Sequence, residues 1–199
     1  LAALPSRAVL FMGSSNAIRD IDLVAERRGD LIVLANRGLA GIDGAVSTAI
    51  GATLGAGHGA MGAGRGGLTD TGLPGYAYLG DLSFLHDVGG LLLAPDEPRP
   101  DLTVVVNNDD GGGIFELLEQ GAPEHRASFE RVFGTPHGVD LGALCAGYGV
   151  PHTLADSADA FADAVRPGPG LRVVEVRTDR SSLRAARAEL YAAVEALLS

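Results

Sequence analysis

The chain has 199 residues, sized for one domain, and 46% of them are apolar, ample for a buried core. Its net charge is −10 and its fifteen basic residues are all arginines scattered along the sequence, which argues against a nucleic-acid partner. The single cysteine, Cys145, cannot build a disulfide frame or a zinc site and fits a reducing compartment, and no apolar run approaches membrane-spanning length, so the expected location is the cytoplasm.

In chain order, short and nearly continuous apolar runs predict strands at 8–12, 31–35, 76–79, 102–106 and 171–176. Helical stretches fall between them at 18–27, 44–54, 84–93, 114–120, 141–148 and 158–165. This alternation predicts an α/β fold, a doubly wound parallel sheet buried on both faces and flanked by helices, in a single domain. The last stretch places Leu183, Leu190, Val194 and Leu197 on one helical face, with Thr178 and Asp179 as candidate caps, and predicts an amphipathic helix docked on the sheet or on a neighbour. Because the chain begins at Leu1 without a methionine and enters a strand within a few residues, it reads as a piece of something longer.

The Gly-rich stretch 55–75 reads as a connector within the domain. It contains Gly57-x-Gly59-x-x-Gly62 and Gly62-x-Gly64-x-x-Gly67, which imitate a dinucleotide fingerprint. That fingerprint must follow a strand and open a helix, whereas this run follows a helix and precedes a strand. The five histidines make no metal-ligand spacing, and there is no Gly-x-Ser-x-Gly nucleophile elbow.

Chemistry concentrates at two predicted strand ends. The strand at 76–79 runs into Gly80-Asp81, and that at 102–106 runs into Asn107-Asn108-Asp109-Asp110-Gly111-Gly112-Gly113. Oxygen ligands at one end, and oxygen ligands followed by bare glycine backbone at the other, suit a metal-bound diphosphate at the carboxyl edge of a parallel sheet. A helix opening near Ile114 would turn backbone N–H groups and its dipole toward the phosphates. Taken alone, Asp81 would be an ordinary turn carboxylate and Ile42 an ordinary core residue.

Gly80-Asp81-Leu82-Ser83-Phe84 followed by Asn107-Asn108-Asp109 resembles the thiamine diphosphate motif. Together with Gly13-Ser14-Ser15-Asn16-Ala17-Ile18-Arg19, with 36–44 from Asn36-Arg37 to Asp43-Gly44, and with Gly111-Gly112-Gly113-Ile114-Phe115, it resembles the C-terminal diphosphate-binding domain of the 2-succinyl-5-enolpyruvyl-6-hydroxy-3-cyclohexene-1-carboxylate synthase family. The resemblance implies thiamine diphosphate with Mg²⁺ (or Mn²⁺) as cofactors. Asp81, Asp109 and the Gly111 carbonyl would be the metal ligands, with Asn108 as the alternative to Asp109. Ile42, Leu82, Ser83, Asp109, Gly111, Gly112, Ile114, Phe115 and Leu118 would line the cofactor, Ile42 wedging beneath its bend. Ser15, Arg19 and Arg37 would bind the substrate acids, since arginine presents a planar fork to carboxylates. Ser14 stands where the family usually has asparagine.

The implied reaction is that of a transferase of menaquinone biosynthesis, which decarboxylates 2-oxoglutarate and adds the succinyl unit to isochorismate. The glutamate that activates the cofactor belongs in such enzymes to another domain, contributed by the second subunit of a dimer. The expected partners are therefore the small-molecule acids, missing N-terminal domains and a further copy in a homodimer or dimer of dimers. None of Glu26, Glu116, Glu119, Glu124 and Glu130 sits in the expected partner block, so no activating residue is expected in this chain. The alternatives are another thiamine enzyme of acetolactate synthase or 2-oxoacid decarboxylase type, a nicotinamide dehydrogenase, whose fingerprint Gly13-Ser14-Ser15 does not complete, and a noncatalytic α/β binding domain.

Overall fold

The computed structural model describes residues 1–39, 41–57 and 72–198. Of the fingerprint-like glycines, Gly59, Gly62, Gly64 and Gly67 lie outside the described residues, as does His58. The chain forms two compact units, one of Leu1–Asn107 and Val139–Arg177, the other of Asn108–Gly138 and Thr178–Ser199.

The first unit is built on the strands β1 (Val9–Met12), β2 (Ile32–Ala35), β3 (Gly75–Gly80), β4 (Leu102–Asn108, its last residue counted with the second unit), β5 (His152–Leu154) and β6 (Leu171–Arg177). They form one six-stranded sheet in the order β2-β1-β3-β4-β6-β5. Pairing is parallel between β1 and both β2 and β3, between β3 and β4, and between β5 and β6. The helices of this unit are α1 (Asn16–Val24), α2 (Ala45–Gly57), α3 (Asp81–His86), α5 (Leu141–Gly147) and α6 (Ala158–Ala164); α4 (Arg126–Phe129) and α7 (Leu183–Leu198) belong to the other.

Strand alternation sends side chains to two cores. Phe11, Ala77, Leu79, Val104, Val106 and Val173 pack with α2, α3 and α5 on one face, while Leu10, Tyr76 and Val105 pack with Val165, Leu4 and Phe161 on the other. Close approach of α2 depends on small residues. A Cβ at Gly75 would lie 2.1 Å from the Thr53 hydroxyl oxygen. Cys145 is fully buried, and burial pushes its thiol up to about 11, so it behaves as a core residue.

Several expectations are corrected. The edge strand β2 is open on both faces, with Val33 46% and Leu34 40% exposed, because neither side chain packs into the buried cluster on its side of the sheet. The edge strand β5 went unpredicted; three residues, His-Thr-Leu, are too short to show a period. The helix expected at 84–93 starts earlier, at Asp81, and gives way after His86 to a 3₁₀ turn at Val88–Leu91, where Gly89 and Gly90 weaken the α-helix.

In the second unit the stretch after β4 is a chain of short turns. These are 3₁₀ turns at Gly113–Leu117, Glu119–Gly121 and Pro123–His125, then α4, then a π turn at Glu130–Gly134. They close over Phe129, which is fully buried, and over the rings of Phe115 and Phe133, whose centroids are 5.3 Å apart. Glu116, 1% exposed, receives both terminal nitrogens of Arg126 at 2.7 and 3.1 Å. The helix α7 forms as expected but buries none of its residues, and Leu197 is 86% exposed. Leu183 and Arg187 near its start are half-buried and Arg184 Nη2 donates to Leu118 O, so contact is confined to the first turns, and strong helix formers (alanine, leucine, glutamate, arginine) favour the rest. Asp179 caps the 3₁₀ turn Arg180–Ser182, accepting from Ser181 N, rather than α7 itself.

Candidate functional site

From β1 the chain runs out to β2 on one side and later returns to β3 on the other, so the loops after β1 and β3 diverge at a topological switch point. Ligands of open α/β sheets bind in the crevice such divergence leaves at the carboxyl ends. Three loops converge there in the first unit. Gly13 N donates to Tyr78 O at 2.9 Å, and a Cβ at Gly13 would stand 2.8 Å from Leu79 Cδ2. Ser14 Oγ donates to Gly41 O at 3.0 Å, tying the loop after β1 to the loop after β2, so the departure from asparagine leaves a polar link at this position.

Ser15 adopts φ 69° and ψ −136°, a conformation close to a region that is essentially glycine's. Such strain costs on the order of 1–3 kcal/mol and gathers at binding and catalytic positions. Its carbonyl oxygen accepts from Arg19 Nη1 at 2.7 Å, folding that guanidinium back onto the helix start. Arg37 is exposed beyond β2, and Ile42 is half-buried just before α2. Asp81 is 2% exposed at the first position of α3, where its Oδ1 accepts from Leu82 N at 2.7 Å. Ser83 is buried behind it and Leu82 half-buried. The register pairs Gly80 with Asn107, so the ends of β3 and β4 stand level and adjacent.

In the second unit the loop from Asn108 to Gly113 is fixed by its own groups. Asn108 Oδ1 accepts from Asp110 N at 3.1 Å. Asp110 has φ 58°, and its carboxylate accepts from His137 N and Gly138 N at 3.0 and 2.8 Å. The Gly138 N–H, followed by that of His137 and by the nearby His137 ring and Arg180 guanidinium, holds the Asp110 carboxyl below the usual carboxylate range against the opposing effect of burial. Each glycine that follows answers to a contact. A Cβ at Gly111, where φ is 138°, would sit 1.9 Å from Gly134 O; one at Gly112, 2.1 Å from Phe133 O; one at Gly113, 1.9 Å from Asp109 Oδ2. The Asp109 carboxylate thus lies directly over the Gly113 backbone.

Ile114 and Phe115 are half-buried, while Leu118 is 45% exposed. The helix expected to begin near Ile114 is instead a five-residue 3₁₀ turn, because the Phe115–Phe133 packing and the glycines before it favour a tight turn. It offers local N–H groups, but not the aligned dipoles of a longer helix. Among the described residues no group of three or more His, Cys, Asp and Glu side chains could hold a metal ion. Sequence reading overlooked Arg180, whose Nη1 donates to the carbonyl oxygens of Asp109 and Asp110; no motif marks it, since 71 and 70 residues separate the partners.

No protein-family model matches the chain. It is 57% identical over 196 residues to a 2-succinyl-5-enolpyruvyl-6-hydroxy-3-cyclohexene-1-carboxylate synthase of Saccharopolyspora erythraea, an alignment covering 98% of this chain and 33% of that protein. A synthase of the same name from Nocardia farcinica is 54% identical over 193 residues, 96% of this chain and 32% of its own length. One from Thermobifida fusca is 50% identical over 196 residues, again 98% and 32%. The chain spans about a third of the length of the curated relatives it matches. Among solved structures, benzoylformate decarboxylase from Polynucleobacter necessarius superimposes with a TM-score of 0.62 at 17% identity, over 90% of this chain and 31% of that one, a likeness of fold.

Proposed function

We propose that this chain is the diphosphate- and metal-binding domain of a thiamine diphosphate-dependent synthase, a transferase of menaquinone biosynthesis that joins the succinyl unit of 2-oxoglutarate to isochorismate. The observation that supports it is the register within the sheet, which pairs Gly80, the residue before Asp81, with Asn107 at the ends of adjacent strands. Identities of 50–57% to proteins bearing the synthase name support it.

The residues fit the cofactor in kind. Asp81 and Asp109 would supply hard oxygen ligands for Mg²⁺ and the Gly111 carbonyl a third, with diphosphate oxygens completing the shell; such a set needs only two carboxylate side chains. Asn108 suits the role less well, because its side-chain oxygen is engaged by Asp110 N. Gly111, Gly112 and Gly113 leave no room for a Cβ beside Gly134 O, Phe133 O and Asp109 Oδ2, so the turn that would face the diphosphate is built of bare backbone. When bound, thiamine diphosphate would supply the electron sink for decarboxylation and carbon–carbon bond formation.

The protein's part is placement and exclusion of water. Ile42, Leu82, Ser83, Ile114, Phe115 and Leu118 would line the cofactor, with Leu118 covered once the remaining domains are in place. Arg19, drawn back by the strained Ser15 carbonyl, and the exposed Arg37 would pair with substrate carboxylates. The activating glutamate would come from the rest of the protein, and a dimer would bring the two halves together.

In the complete enzyme, Arg19→Ala and Arg37→Ala are each expected to lower kcat/KM for the acidic substrates by roughly tenfold to a hundredfold, as a lost charge-assisted contact of about 1.5–3 kcal/mol requires, with thiamine diphosphate affinity unchanged. Steady-state kinetics with 2-oxoglutarate and isochorismate is the test. Specificity constants unaltered in both variants would make these arginines surface residues and remove the substrate assignment.

A further inference from the structure

The segment that follows β6 reaches back to the loop after β4 at three of its own residues. Thr178 N donates to Asn108 O at 2.9 Å, Arg180 Nη1 donates to both Asp109 O and Asp110 O, and Arg184 Nη2 donates to Leu118 O. The other terminal nitrogen of Arg180 pairs with Glu130, which stands 3.9 Å from Arg126, the partner of buried Glu116. Arg180 is only 12% exposed, and its Nε is buried without a partner among the described residues, so the contacts of the two terminal nitrogens carry the whole hold.

Two successive carbonyls cannot face one donor in an extended chain, where they point to opposite sides. The positive φ of Asp110, 58°, turns them to the same side, and its carboxylate is anchored there by His137 N and Gly138 N. A cation on these two carbonyls therefore selects one loop conformation, and commits both oxygens away from any metal.

Resting on the function proposed above, we infer that Arg180 is a positioning residue for the metal site. By taking the Asp109 and Asp110 carbonyls it assigns the metal to the Asp109 carboxylate and the Gly111 carbonyl, and it fixes the glycine turn against which the diphosphate lies. Its charge also balances a loop rich in carboxylates that must receive an anionic cofactor.

The test uses the complete enzyme, with Arg180→Gln, Arg180→Lys and, as control, Arg166→Gln, whose side chain is 76% exposed and pairs with the nearby Asp163. Calorimetry at saturating thiamine diphosphate gives the Mg²⁺ affinity, and hydrogen exchange follows the amides of 109–113. In Arg180→Gln the Mg²⁺ affinity is expected to fall roughly tenfold to a hundredfold, the usual consequence of removing a group that orients metal ligands, with faster exchange in the loop and none in β3. Arg180→Lys, which keeps the charge on one nitrogen, should fall between, and Arg166→Gln should match the parent. Should the glutamine variant fail to fold, the lysine variant decides by the same two readouts. Parental Mg²⁺ affinity and loop protection in the Arg180 variants would overturn the inference while leaving the function standing. A parent enzyme that binds no thiamine diphosphate would overturn both, and that failure is recognised because it needs no variant.

Discussion

Replacing Asp81 with alanine in the complete enzyme is expected to abolish metal-dependent binding of thiamine diphosphate, and turnover with it. The carboxylate is 2% exposed, so its removal is not made good by bulk water, and the cation would face one protein carboxylate instead of two. Deleting one member of a buried charge cluster costs about 3–5 kcal/mol, which corresponds to a loss of affinity of roughly two to four powers of ten. Asp81→Asn keeps the size and the oxygen that accepts from Leu82 N, so it separates charge from packing. It should retain the fold and the thermal transition while binding the cofactor far more weakly than the parent. Calorimetric titration of each variant with thiamine diphosphate, with and without Mg²⁺, is the measurement. Equal affinity in Asp81→Ala and the parent would remove Asp81 from the site.

The second large effect concerns the chain by itself. The 199 residues alone are expected to give no product from 2-oxoglutarate and isochorismate, and to regain turnover only when the rest of the protein is supplied in trans or in fusion. General acid–base catalysis needs a group held within hydrogen-bonding reach of the proton it moves. Among the described residues, the buried carboxylates outside the proposed ligand set are already engaged: Glu116 by Arg126, and Glu175 by Arg177 and His152 at 2.8 and 2.9 Å. Glu26, Glu119 and Glu124 are exposed, and Glu130 pairs with Arg180. A cofactor normally enclosed on most of its surface would also keep one ring in water here, which weakens binding. Product formed by the chain alone would contradict the half-site account. No gain on restoring the remaining domains would count against the synthase assignment.

How much of this was legible in the sequence follows from where each signal resides. The buried strands β1, β3, β4 and β6 are continuous apolar runs, so their places were readable to within one or two residues, and a parallel sheet was expected from the helices between them, though not its strand order. Asp81 and the Asn107 to Gly113 run were readable as chemistry because polar and glycine residues interrupt the apolar strand at its end. Short elements without a period were not: β5, and the turns from Gly113 to Gly134, are shaped by packing around Phe115, Phe129 and Phe133 rather than by local propensity. The strain at Ser15 was invisible as well, since serine gives no hint of a backbone that glycine would favour. Arg180 is the clearest case. Its partners lie some seventy residues away, and its role depends on two carbonyls, which no side-chain pattern encodes.

On the proposed function, this domain binds thiamine diphosphate through a divalent metal. The most direct test is a calorimetric titration of the complete enzyme with thiamine diphosphate in the presence of Mg²⁺, repeated after chelation. Saturable binding with Mg²⁺ is expected, lost on chelation and restored when the metal is returned. Absence of binding in both conditions, or binding indifferent to the metal, would contradict the proposed function.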